Sequence, residues 1–168
     1  KRRYKVAVML PFYLNLMEDS QDTTSKASKE IYEKLLARSQ YAIEFYQGLK
    51  LATDSLISLG LSLDLHVMDT ENDPKVVEQY IINDSLKGMD LIIGPFFLDV
   101  FKKVADYAKM NKINIVSPVK LSNKILLGNN YVSKVAASDL TLDRAVAKFT
   151  YNHYRDSNLI MVYPEHLE

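Results

Sequence analysis

Few groups in this chain could do chemistry. Its 168 residues include no Cys and three His, at His66, His153 and His166. Thiolate nucleophiles, disulfides, iron–sulfur clusters and Cys-based zinc sites are therefore excluded. His66 falls within a strand-like run and His153 late on a helical one. Neither has a carboxylate or nucleophile at a spacing that would make an acid–base pair, and both read as packed or surface residues. Asp69, Glu71 and Asp73 alternate as oxygen ligands of calcium do, but no ligand-spaced acidic residue or turn glycine follows. Asp73 stands directly before Pro74, the arrangement of a helix cap, so no metal is expected. Ser117 and Ser122 lack the Gly-x-Ser-x-Gly elbow and read as turn hydroxyls. The expectation is a chain without catalytic residues or cofactors, not an enzyme.

The residues that stand out are apolar and placed at strand ends. Phe12 and Tyr13 follow the first apolar run, Phe96, Phe97 and Leu98 follow the third, and Ser117 and Lys120 close the fourth. In a doubly wound sheet a ligand sits outside the carboxyl ends of the strands at the switch point, where the first and third strands flank it. These seven positions are the candidate ligand-binding set. The competing reading packs the same side chains under loops or against a further lobe.

The elements that must position them follow from periodicity. Residues 4–10 (YKVAVML) form a nearly continuous apolar run stopped by Pro11, which predicts a central strand buried on both faces. Ala42, Phe45, Tyr46, Leu49, Ala52, Leu56 and Leu59 recur at helical spacing after Ser39 as a cap and before Gly60 as a stop. Strands follow at 63–68, 90–93, 113–117, 131–135 and 159–162, alternating with helices from Asp73-Pro74 to about Leu86, around Val100 to Ala108, and through Leu142, Ala145, Val146 and Phe149. This alternation predicts an α/β doubly wound parallel sheet with helices on both faces; the strand order expected of it is 2-1-3-4-5. A polar insertion at about 17–39 interrupts it; residues 18–29 read as loop-like, and Ile31, Tyr32, Leu35 and Leu36 as a short amphipathic helix.

Lys plus Arg and Asp plus Glu number 21 each. That balance leaves no field to gather phosphates, so no nucleic-acid partner is expected. No apolar run reaches the roughly 18 residues of a membrane span.

Four stretches in order resemble the N-terminal lobe of the type I periplasmic binding proteins, the fold of the branched-chain amino-acid binding proteins of ABC transporters. They are KVAVMLPF; YQGLKLATD with Gly48; LDLHVMDTENDP leading to GMDLIIGPF; and NINIVSP followed by VAASDLTLDRAVAKF. The resemblance implies a non-catalytic, periplasmic or cell-envelope recognition domain that clamps a small-molecule ligand between two lobes. Residues 1–138 would be lobe I and residues 139–168 the first helix and strand of lobe II. Where amino-acid binders place small hydroxyl residues after Gly-Pro, this chain has Phe96, Phe97 and Leu98. The polar insertion is similar to that of cell-envelope members, including LysM-associated ones, and implies as the alternative a scaffold or regulator binding envelope proteins or peptidoglycan machinery. The sugar-sensing core of a transcription regulator is a third reading. A lobe without its partner would bare the apolar face of residues 139–168, and a homodimer through that segment is expected.

Overall fold

The computed structural model describes residues 2–20, 26–160 and 162. The chain divides into two compact units, Lys1–Ala136 and Ala137–Glu168. In the first, a five-stranded sheet runs in the order β2-β1-β3-β4-β5, with every pair parallel, as the sequence predicts. Its strands are β1 (Tyr4–Leu10), β2 (Leu63–Asp69), β3 (Leu91–Ile93), β4 (Asn114–Ser117) and β5 (Val132–Lys134). The connecting helices are α1 (Leu14–Asp19), α2 (Lys26–Ser58), α3 (Pro74–Ile82) and α4 (Leu98–Asn111). A 3₁₀ turn, Asn123–Leu126, is capped by Ser122, whose Oγ accepts from the Lys124 N–H.

The register sorts side chains between two cores. Val6, Val8 and Leu10 point to the α2 side, where Ala42, Phe45, Tyr46 and Leu49 cover them. Ala7 and Met9 point to the other side and join Val77 of α3 and Val100, Phe101, Val104 and Ala108 of α4. Successive strand residues alternate in this way because the side-chain period of a strand is two. The apolar run of β1 is therefore the signature of a strand with helices on both faces.

Two helical expectations change. The short helix around Ile31 and the helix starting at Ser39 are one continuous α2 of 33 residues. Leu35, Ser39, Ala42, Tyr46, Leu49 and Thr53 form a single stripe at three- and four-residue spacing, so nothing breaks the helix at Ser39. Ser39 is buried, and its hydroxyl donates to the Leu36 carbonyl inside the helix instead of capping it. Within the segment read as loop-like, residues 18 and 19 close α1 and residues 26–29 open α2, while 21–25 lie outside the described residues. The other end of α2 is as expected: Gly60 takes φ +97°, its N–H meets the Ile57 carbonyl and the Leu61 N–H the Leu56 carbonyl. This is the paired bonding of a glycine-terminated helix. α3 stops at Ile82, short of Leu86, which turns back to be fully buried.

The second unit holds α5 (Asp139–Tyr154), capped by Ser138, whose Oγ accepts from the Thr141 N–H. Leu142, Val146 and Phe149 are exposed on it. The sixth strand does not form among the described residues: Leu159, Ile160 and Val162 are exposed and carry no strand pairing, and Met161 lies outside the described residues. Apolar β-branched residues alone do not make a strand, because the backbone needs a neighbouring strand to bond.

Candidate functional site

β1 and β3 are adjacent in space, and the connections after them leave to opposite faces of the sheet, which makes their carboxyl ends the switch point. Gly94 ends β3 at φ +90°, and a Cβ there would lie 2.2 Å from the Met9 carbonyl oxygen. Only glycine lets β3 end this close to β1. The Gly94–Pro95 peptide is cis, and it is followed by Phe96 and Phe97.

Above these ends passes α2. Pro11 after β1, Phe96 and Phe97 after β3, Val119 after β4, and Arg38, Tyr41 and Phe45 of α2 enclose an open groove of 380 Å³. The Phe45 and Phe96 rings meet edge to face at 5.4 Å, which fixes the inner wall. Tyr41 and Phe97 form the rim and are 75 % and 45 % exposed. Among the described residues lining the groove, Arg38 alone is charged, and no carboxylate of the described residues pairs with it.

The loop that carries Pro11 is held by a carboxylate from the neighbouring strand end. Asp69 Oδ1 accepts from the backbone N–H groups of Phe12 (2.8 Å), Tyr13 (3.2 Å) and Glu71 (2.9 Å), and Oδ2 from that of Leu14 (2.7 Å). Tyr13 adopts the left-handed conformation, φ +61°, that turns these donors toward one point. Tyr80 of α3 donates its hydroxyl to the Asp69 carbonyl at 2.9 Å. Burial raises the pKa of Tyr80 above the ordinary phenol value, and the charges of Asp69 and Glu71 push it the same way. Burial also raises that of Tyr13; Arg38 acts against this and Asp69 with it. The acidic cluster is thus a loop clamp. Asp73 caps α3 by accepting from the Lys75 N–H at 2.8 Å, Glu71 accepts from Asn15 Nδ2 at 2.6 Å, and the described residues contain no group arranged to hold a metal ion.

The sequence-derived residues separate. Phe96 and Phe97 line the groove. Phe12 packs beneath it, its ring edge to face with Tyr46 at 6.0 Å. Tyr13 is buried beside Asp69. Leu98 opens α4 and packs into the core on the opposite face. Ser117 is fully buried, its hydroxyl donating to the Val119 carbonyl at 2.9 Å, which bends the chain after β4. Lys120 is exposed next to Val119 and is not among the groove-lining residues. Arg38, Tyr41 and Phe45 complete the lining. Sequence reasoning assigned none of the three to the site: Arg38 fell before the helix expected from Ser39, Phe45 was read as part of that helix's packed face, and Tyr41 was not singled out, although the apolar stripe through Leu35 carried the signal for the longer helix. His66 lies in β2 and His153 stacks on Phe149 at 4.3 Å, both remote in sequence from the groove residues.

No protein-family model and no curated protein matches the sequence. Solved structures do match in fold. The leucine-binding protein of Thermotoga maritima is 21 % identical with a TM-score of 0.58, over 90 % of this chain and 38 % of that one. An ABC-transporter substrate-binding protein of Desulfitobacterium hafniense in complex with Leu is 18 % identical at TM-score 0.58, over 90 % and 39 %. The branched-chain amino-acid transporter substrate-binding protein of Streptococcus pneumoniae, in complex with isoleucine, is 10 % identical at TM-score 0.56, over 92 % and 39 %. The chain shares the fold of about two fifths of these substrate-binding proteins, that of one lobe with a parallel sheet of order 2-1-3-4-5, as the sequence resemblance implies. The chain spans about two fifths of the length of the solved structures it matches. All three are described as leucine-binding or transporter substrate-binding proteins, which lends the LysM-associated or scaffold reading no support.

Proposed function

We propose that this chain is the ligand-recognition part of an extracytoplasmic, non-catalytic substrate-binding domain. Residues 1–138 would form lobe I and residues 139–168 the beginning of lobe II. The observation that carries this reading is the groove at the carboxyl ends of β1, β3 and β4, lined by Pro11, Phe96, Phe97 and Val119. Its 380 Å³ sits at the small end of ligand cavities, roughly 300–1,000 Å³. One wall suffices to select an apolar group but leaves it open to water, so a second lobe closing over it supplies the remaining contact. Weak binding by this chain alone follows. Isotope-labelled chain titrated with small apolar probes such as indole and toluene tests the reading. Amide shifts concentrated at Tyr41, Phe45, Phe96 and Phe97 support it. Shifts centred on the amino ends of the strands, near Asp64 and Asp90, contradict it.

The apolar stripe of α5 needs a partner as well. We propose that in the isolated chain a second copy supplies it through residues 139–168. A monomer by light scattering at high concentration contradicts this.

A further inference from the structure

The two edges of the sheet are finished differently. β5 is three residues long and ends in Lys134, two of the devices that keep an edge from pairing with another strand. β2 is seven residues long, has neither proline nor lysine, and keeps an unbroken register with β1 from Leu63 to Asp69. Tyr4 donates its N–H to the Ser62 carbonyl and Thr70 its N–H to the Leu10 carbonyl, so the even-numbered residues of β2 bond inward to β1. The N–H and C=O groups of Leu63, Leu65 and Val67 therefore point outward, and no described residue bonds to them. The next outward carbonyl, that of Asp69, is taken by the Tyr80 hydroxyl. The open stretch is residues 63–67.

Side chains along this stretch match a second copy of it. Leu63 and Leu65 belong to the α2 face, and the exposed Val67 follows them at the two-residue period. Asp64 and His66 lie on the opposite face, Asp64 ion-paired to Arg3. In an antiparallel pair, residues with outward groups must face one another, and the residues between them meet at the closest side-chain approach. A twofold axis at Leu65 meets both conditions. Leu65 then exchanges bonds with the partner's Leu65 and Leu63 with the partner's Val67, which continues the apolar face. Asp64 falls opposite the partner's His66, whose ring N–H can reach a carboxylate that still has acceptor sites beside Arg3. Moving the axis to Asp64 sets that carboxylate against its own copy, and moving it to His66 sets Leu63 against the partner's Asp69. An open hollow of 360 Å³ at the amino end of β2, lined in part by Ile57, Leu61 and Leu63, lies where the partner's Val67 would arrive opposite Leu63.

We propose that β2 is a self-association edge, through which two copies of this chain join by antiparallel β2 strands centred on Leu65, with Asp64 and His66 setting the register. Two five-stranded sheets become one continuous sheet, and the outward groups of residues 63–67 are satisfied by their own copies. This contact is separate from that of residues 139–168, and two such contacts on one chain would link copies beyond a pair. The test therefore reads position and not mass.

The chain has no cysteine, so an introduced thiol reports on one position. Across a hydrogen-bonded antiparallel pair the Cα atoms lie about 5.5 Å apart, within disulfide reach. Leu65→Cys in the 168-residue chain should therefore form a disulfide-linked dimer under mild oxidation with diamide. Ser62→Cys is the control, because the twofold places its copy roughly 20 Å away along the strand. It should cross-link about tenfold more slowly or less. Leu63→Cys and Val67→Cys chains mixed together should give the mixed dimer, and neither should dimerise alone; this pair carries the test if Leu65→Cys alters the circular dichroism. Adding His66→Asp to Leu65→Cys sets two carboxylates face to face and should slow cross-linking about fivefold, and adding Asp64→His as well should restore it. Equal rates for Leu65→Cys and Ser62→Cys overturn the proposal, as does the absence of both the Leu65→Cys dimer and the mixed dimer. An unchanged rate with His66→Asp, or no recovery with Asp64→His, overturns the register and the proposal with it.

Discussion

The two faces of the sheet are built differently. Behind β1 and β3, two helices seal a core in which Met9, Ile92, Ile115, Val77, Val100, Phe101 and Val104 are almost wholly removed from water. In front, α2 alone lies across the strands. It buries Val6, Val8 and Leu10 under its axis but leaves Leu63, Leu65, Leu91, Ile93 and Val116 partly exposed on either side, with Val67 42 % exposed. The sealed face has the closed packing that stabilises a domain. The open face has the irregular apolar wall that a ligand or a further element can cover, and its upper end is the groove. Stability and the proposed recognition are thus separated by the thickness of one sheet. Substitutions should therefore have different signatures on its two sides.

The largest effect belongs to the sealed side. Phe101 is fully buried, and Phe101→Ala should cost about 3–5 kcal/mol in urea unfolding through lost burial and the cavity left behind. A loss below about 1 kcal/mol would mean that this face is not the core described.

Next is the pivot between the two faces. At Gly94 an added Cβ meets backbone, not a side chain that can swing away. Gly94→Ala should destabilise by about 3 kcal/mol, combining left-handed strain with the need to push β3 from β1. It should also disturb Phe96 and Phe97. An unfolding midpoint equal to that of the parent chain would refute the close approach.

Asp69→Asn comes third. The amide nitrogen of Asn would face N–H groups that now donate to a carboxylate oxygen, and about 2 kcal/mol should be lost. Amide exchange should rise at Phe12, Tyr13 and Leu14 and stay unchanged in α4. Uniform acceleration would show that the clamp is not local.

Tyr80→Phe should cost about 1 kcal/mol by removing the bond to the Asp69 carbonyl. It also has a pH signature. Folding raises the pKa of Tyr80 and of Tyr13, so the folded chain holds these protons more tightly than the unfolded one. That contribution is complete below the ordinary value of 10.0 and is lost as pH rises through the folded values. Stability should fall above about pH 10 and fall less steeply in Tyr80→Phe. Identical alkaline slopes in the two chains would contradict the assignment.

These residues also show how far the sequence could be read. The strands were legible because β1 is a long apolar run closed by proline, and because breakers mark strand ends, Gly94-Pro95 and Pro118 among them, whereas their order was an expectation of the doubly wound class. Phe96 and Phe97 were legible for the same reason: a residue just past a strand end has a place that topology determines. Phe12 and Tyr13 were not separable, because they follow the same strand and only the left-handed turn at Tyr13 sends one ring to the α2 core and the other to Asp69. The clamp joins residues 55 to 57 positions apart, a distance no local spacing rule covers. Arg38 was hidden by Ser39, whose type suits a helix cap but whose hydroxyl is satisfied within the helix. The sixth strand shows the converse case, a β-prone sequence with no neighbouring strand among the described residues.

The separation of stability from recognition is tested most directly by removing the rim. In Tyr41→Ala combined with Phe97→Ala, Tyr41 is mostly in water already and Phe97 nearly half so, and the unfolding free energy should fall by less than about 2 kcal/mol. Binding of indole, followed through the amides of Phe45 and Phe96, should disappear. Retained binding, or a loss of stability comparable to that of Phe101→Ala, would contradict the account.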